Sequence, residues 1–211
     1  MKNITVKFSA SLLMLLFTSG IILAQDAQEI IKNTQNTYSG MDNAKATFSQ
    51  STSYNSGKSE SSSGTIYVKG DNMYRIETSG KVVVTDGKTS WSYSPKKKQV
   101  VIDNFKEDKY TFSPNKFLFD YPKEFYSDLE GEANLKGFDC FVLKLTPRSK
   151  GTVKSAKIWI DKNDYVIRKI TINDNGGSNT YTLSKITFNP GVASSKFSFD
   201  PPGGTDIIDL R

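Results

Sequence analysis

Hydrophobic positions change their period once along this chain. Between Asp26 and Met41 apolar residues fall at Ala27, Ile30, Ile31, Tyr38 and Met41, while Gln28, Glu29, Lys32 and Asn36 take the other side. That spacing of three, four and seven marks one face of an amphipathic helix. Asp26 is placed to cap its start and Ser39-Gly40 to stop it. Beyond it the period becomes two. Segments 65–69, 73–78, 81–85, 90–94 and 99–103 read as strands, joined by Gly70-Asp71-Asn72, Ser79-Gly80, Asp86-Gly87 and Ser94-Pro95-Lys96. Phe48 belongs to an earlier strand, and residues 49–63, with eight serines in fifteen positions, read as a flexible connection. Ser113-Pro114 predicts a short second helix with Phe117, Leu118 and Tyr121 on one face; Pro122 breaks it and Phe125-Tyr126 begins a further turn. Strands resume at 138–145, 156–160, 165–173, 180–188 and 196–199.

About ten strands joined by tight turns must run antiparallel, and a sheet that large curls or closes. Rows of side chains such as Tyr74 and Ile76, Trp91 and Tyr93, and Phe141, Leu143 and Leu145 supply an apolar face. Periodicity alone leaves open whether that face lines a packed core or a cavity.

Composition narrows the chemistry. With no histidine among 211 residues, imidazole-dependent catalysis and zinc binding are excluded. Cys140, the single cysteine, sits in a strand pattern and reads as an inert buried thiol. Asp161 and Asp164 read as a hairpin turn, and position twelve of a calcium loop begun at Asp161 would be Ile172, which is no ligand. No glycine loop is set to cradle phosphate, so neither an enzyme nor a cofactor is expected.

Lys2 and Lys7 precede an apolar stretch closing at Ala24, so residues 1–24 read as a secretory signal peptide and 25–211 as one exported domain. Removing that segment takes away two lysines and no acid, leaving 26 basic against 22 acidic residues over 187 positions, a net charge of +4. This mild excess argues against nucleic acid and allows weak attraction to an anionic surface or acidic partner. Lys96-Lys97-Lys98 reads as a solvated hairpin turn.

Several segments together resemble the periplasmic outer-membrane lipoprotein carrier family, LolA. They are Ala46-Thr47-Phe48-Ser49-Gln50, residues 64–69 followed by Asn72-Met73-Tyr74-Arg75, residues 84–95 around Trp91-Ser92-Tyr93, residues 141–147, and residues 196–206 with Pro201-Pro202-Gly203-Gly204. The resemblance implies an incomplete, strongly curved antiparallel β-barrel of about ten or eleven strands, mainly β with α, with a helical lid over an apolar cavity for acyl chains. By the same resemblance Ile30, Ile31 and Tyr38 of the first helix, Phe117, Leu118 and Tyr121 of the second, and Tyr74, Ile76, Trp91 and Tyr93 of the sheet line lid and cavity. It further implies a monomeric, non-catalytic chaperone in the periplasm. Its cargo would be acylated lipoproteins received from an inner-membrane ABC-type release complex and passed to an outer-membrane acceptor lipoprotein. A lipid-sensing or structural envelope module of similar fold is the alternative. One departure stands out: Gly70 occupies the place of a lid-fastening arginine, so the resemblance implies a lid held mainly by apolar contact. Arg75 faces away from Tyr74 in a regular strand and does not inherit that role.

Overall fold

The computed structural model describes residues 19–70, 72–106 and 124–211. Among the described residues one α-helix, α1 (Ser19–Ser39), precedes twelve strands. It starts seven residues before Asp26, which lies inside the helix instead of capping it, because the run Ile21-Ile22-Leu23-Ala24 continues the helix upstream.

Two antiparallel meanders follow. The first comprises β1 (Asn43–Tyr54), β2 (Ser59–Lys69), β3 (Met73–Thr78), β4 (Val82–Asp86), β5 (Thr89–Ser94) and β6 (Gln99–Asn104); the second comprises β7 (Phe125–Leu135), β8 (Phe138–Pro147), β9 (Val153–Asp161), β10 (Ile167–Asp174) and β11 (Gly177–Phe188). Pairing of β1 with β11 joins them. A last strand, β12 (Asp206–Asp209), is parallel to β6, giving the order β12-β6-β5-β4-β3-β2-β1-β11-β10-β9-β8-β7. The sheet is therefore open and curved, as expected, but has twelve strands and one parallel pair.

Three local expectations are corrected. Residues 49–63 are not a loose connection: all but the turn at 55–58 belong to β1 and β2, paired from Asn43↔Lys69 out to Ser53↔Ser59. Serine weakens the usual apolar signal, yet the β1–β11 ladder supplies partners on the other side. Phe125-Tyr126 opens β7 instead of a helical turn; Phe125, Ser127 and Leu129 alternate with exposed Tyr126, Asp128 and Glu130. The strand expected at 196–199 is a 3-10 turn, Ser194–Phe197. The second predicted helix, with Phe117, Leu118 and Tyr121, lies outside the described residues.

Register assigns every side chain to a face. On the side bearing α1, the pairs Ala44↔Val68, Ala46↔Ile66, Ile66↔Ile76 and Val68↔Tyr74 share one surface with Leu183 and Phe188. Farther along, Leu143↔Ile158 and Ile158↔Ile170 continue it beneath Ala27, Ile30 and Ile31. Burying each of these leucines and isoleucines stabilises the fold by about 1.5–3 kcal/mol. Gly64 is required where Phe48 crosses this surface, since a Cβ there would sit 2.0 Å from the Glu77 carbonyl oxygen.

The opposite face carries a second, smaller core. Val84 pairs with Arg75 and Trp91, and Tyr93 with Val100, all pointing away from α1. The segment after β11 crosses them on its way to β12. Phe197 is buried there, and the Phe199 ring lies 5.2 Å from that of Tyr93. Glu77 clasps this segment: it accepts from Arg75, and from Lys196 Nζ at 3.2 Å, while Arg75 Nη1 donates to the carbonyls of Lys196 and Ser198 at 3.4 Å.

Partial burial pushes the Glu77 carboxyl up, but its hydrogen bonds from Arg75 and Lys196 outweigh that and leave it below its ordinary 4.5. A depressed carboxylate contributes stability above its unfolded value and loses it as pH falls through the folded one. Acidification below about pH 4.5 should therefore loosen the crossing segment, read as a change in Trp91 fluorescence, and Glu77→Gln should remove that acid step. An unchanged step in the variant would rule Glu77 out as its source.

Candidate functional site

The cavity forms where small residues leave a gap. Ala44 and Ala46 on β1 lie between Ile66 and Val68 of β2 and Leu183, Ile186 and Phe188 of β11, and too little side chain fills the surface between them. Tyr38 and Met41 close it from the helix side, and Ile167 of β10 completes the lining. It holds about 40 Å³, room for a few water-sized volumes and far below the ~300–1,000 Å³ of a small-molecule pocket. Apolar side chains and the Tyr38 ring supply its whole lining.

Tyr38 does more than cover the gap. Its ring meets Phe188 edge-on at 5.2 Å, and its hydroxyl accepts the Ile167 backbone N–H at 3.3 Å. Burial pushes its ionisation up to about 12. Thr37 donates to the Asp164 carbonyl at 3.1 Å, and nine residues earlier in the helix Gln28 donates to the Ser127 hydroxyl at 2.8 Å. The lid thus has polar anchors as well as apolar ones, the polar ones all on the β7–β10 half.

Its junction with β1 is clamped separately. Asn189, in the left-handed region at φ +50°, accepts through Oδ1 from the Asp42 and Asn43 amides at 2.8 and 3.2 Å and donates from Nδ2 to the Gly40 carbonyl at 3.0 Å. Gly70 adds an N–H bond to the Asp42 carbonyl at 3.1 Å and stands at φ +58°. Glycine suits that turn because an L side chain there is strained, so the position supports the helix junction through its backbone.

The expected site residues divide into three groups. Ile30 and Ile31 are buried in the core beneath the helix, while Tyr38 lines the cavity. Tyr74 and Ile76 share the α1-bearing surface, directly across from the lining residues Val68 and Ile66, and the Tyr74 ring approaches Phe105 at 6.4 Å. Trp91 and Tyr93 are corrected: register places them on the far face, against Val84, Val100 and the crossing segment. Aromatic alternation revealed that they share a face with each other but could not say which one. Sequence reading missed every other lining residue, Ile66 and Ile167 included. Alternation of Ala44, Ala46 and Phe48 with Lys45, Thr47 and Ser49 was the available signal.

Elsewhere the chemistry is quiet. Cys140 is fully buried, and burial followed by the nearby Asp161 carboxylate pushes its thiol up to about 11, so no thiolate nucleophile exists at neutral pH.

An open curved sheet with a helix seated over an apolar gap defines a class of hydrophobic-ligand-binding β modules. The family model described as outer membrane lipoprotein carrier protein LolA matches residues 39–200, and the chain belongs to that family. An outer-membrane lipoprotein carrier protein of Glaesserella parasuis is 34% identical over 218 aligned positions, covering 100% of this chain and 99% of the relative. Its counterpart in Haemophilus influenzae is 32% identical, again over 100% and 99%. Among solved structures, a conserved Thermus thermophilus protein matches with TM-score 0.57 and 17% identity over 88% of this chain and 99% of its own. The Mycobacterium tuberculosis lipoprotein LppX matches with TM-score 0.50 and 12% identity, covering 81% and 98%. These likenesses concern the fold.

Proposed function

We propose that this protein is a non-catalytic periplasmic carrier that takes acylated lipoproteins from the inner to the outer membrane. The apolar gap beneath a helix, in a chain aligned end to end with proteins of that name, carries the reading. Residues 1–24 serve as its export signal. An inner-membrane ABC-type complex supplies the cargo, and an outer-membrane acceptor lipoprotein receives it from the monomeric carrier.

The physical need is large. Each exposed methylene costs about 0.8 kcal/mol, so an acyl chain of roughly 15 methylenes costs ~12 kcal/mol in water. A gap of about 40 Å³ cannot enclose such a chain, so α1 must move away from the sheet to admit it. Ile30, Ile31 and Tyr38 would then exchange their present contacts for acyl chain, with Tyr74 and Ile76 extending the surface; Phe117, Leu118 and Tyr121 join them by family resemblance.

Membranes loaded with a newly made triacylated lipoprotein and its release complex should yield a soluble complex with this protein. Failure with several native cargoes would overturn the carrier reading and favour a lipid-sensing module.

A further inference from the structure

Strand topology separates the charges of this molecule into two unlike ends. The turns β1–β2, β3–β4, β5–β6, β8–β9 and β10–β11 lie at one end of the sheet. Lys96, Lys97 and Lys98 fill the β5–β6 turn, and Lys58 and Lys81 stand in the two turns preceding it. Arg148, Lys150 and Lys154 flank the β8–β9 turn. Against these eight basic residues the described turns and strand ends there carry five acids, Glu60, Glu77, Glu124, Asp174 and Asp206, a local excess of +3.

Pairing sharpens the contrast. All eight basic residues are exposed, and among the described residues none of them makes an ion pair. At the opposite end Lys106 pairs with Asp103, Lys162 with Glu132, Arg168 with Asp161 and Asp164, and Arg211 with Asp209. Of the acids at the basic end, Asp174 is engaged by the Gly176 and Gly177 amides, Glu60 by the Tyr54 hydroxyl and Asp206 by Gln99.

Two exposed tyrosines share this end. Tyr54 closes β1 and Tyr126 opens β7, with 40% and 55% of their surfaces accessible. Tyrosine favours a membrane–water boundary, its ring among headgroups and its hydroxyl in water.

We propose that this end is a docking surface for an anionic phospholipid membrane. The proposal goes beyond cargo carriage and does not depend on it. Flexible lysines spread over separate turns suit a diffuse negative surface, whereas shape-specific protein contacts centre on packed tryptophan, tyrosine and arginine anchors. Orientation fits as well. From Gln28, beside Ser127 near the start of β7, α1 runs from this end to the other, where Asn189 clamps Gly40. Docking places the end of the lid away from its clamped junction toward the bilayer.

Vesicle co-sedimentation tests this with the cargo-free protein. Binding is expected on vesicles of phosphatidylcholine mixed with phosphatidylglycerol, weakening as salt rises, and not on phosphatidylcholine alone. Replacing Lys96, Lys97 and Lys98 by glutamine removes three charges worth about fivefold each near a membrane, so affinity should fall at least tenfold. The same change at Lys88, Lys136 and Lys185, away from this end, keeps the net charge of the first variant and should cost far less. Tyr54→Ser with Tyr126→Ser should weaken binding severalfold, with thermal unfolding measured to show that the fold persists. Equal losses in the two lysine variants, salt-insensitive binding, or no binding to the anionic vesicles would each overturn the proposal.

Discussion

Arg168→Ala should lower the free energy of unfolding by about 3–5 kcal/mol, read as a shift in the urea midpoint. The Arg168 Nε and Nη2 groups donate to one Asp161 oxygen at 3.0 and 2.8 Å, and Nη2 also reaches Asp164 at 2.6 Å. The guanidinium lies 4.2 Å from the centre of the Phe138 ring. Asp161 is only 2% exposed, so removing the arginine leaves a buried carboxylate that accepts from the Asn163 backbone N–H alone among the described residues. An unpaired buried charge costs far more than an intact buried pair contributes. Asp164→Ala should cost under about 1 kcal/mol, because that carboxylate is 47% exposed. Arg168→Lys should rescue little, since an ammonium cannot reproduce the fork and the ring stacking together. A loss below about 1 kcal/mol for Arg168→Ala would refute this account. The effect also bears on the lid, because the same β9–β10 turn presents the Asp164 carbonyl to Thr37.

Tyr38→Ala should cost about 3–5 kcal/mol and free the carboxyl-terminal half of α1, seen as faster amide exchange there than in β8 and β9. The loss joins an aromatic contact with Phe188 to an orphaned Ile167 N–H. Tyr38→Phe isolates the second component and should cost about 1–3 kcal/mol. It also carries a pH signature. With its ionisation moved from 10.0 to about 12, buried Tyr38 contributes stability in full below pH 10 that is lost as pH rises toward 12. Wild-type stability should therefore fall over that window more steeply than that of Tyr38→Phe. Parallel alkaline profiles would show that Tyr38 ionisation is not coupled to unfolding.

These two residues illustrate different degrees of legibility. Tyr38 was visible because it continues the apolar helix face of Ala27, Ile30 and Ile31, a purely local pattern. Arg168 was not, because its partners depend on how the β9–β10 turn closes. Serine-rich β1 and β2 were hidden for a related reason: strand formation there comes from backbone ladders to neighbours far along the chain, which local propensity does not record. The family resemblance supplied the cavity and lid that periodicity had left undecided.

Local sequence alone determined the amphipathic helix, most strand segments, the turns between them and the exclusion of histidine chemistry. Each follows from residue type and spacing within a few positions. Tertiary structure decided which apolar row became the cavity wall. Trp91 and Tyr93 form as good a row as Tyr74 and Ile76, but only interstrand register sends one pair toward α1 and the other toward the crossing segment. It also decided that the gap lies beside Ala44 and Ala46, because packing deficits arise between strands distant in sequence. The parallel edge strand β12 has the same origin: its partner β6 lies a hundred residues earlier, and the route between them crosses a surface that exists only in the folded sheet.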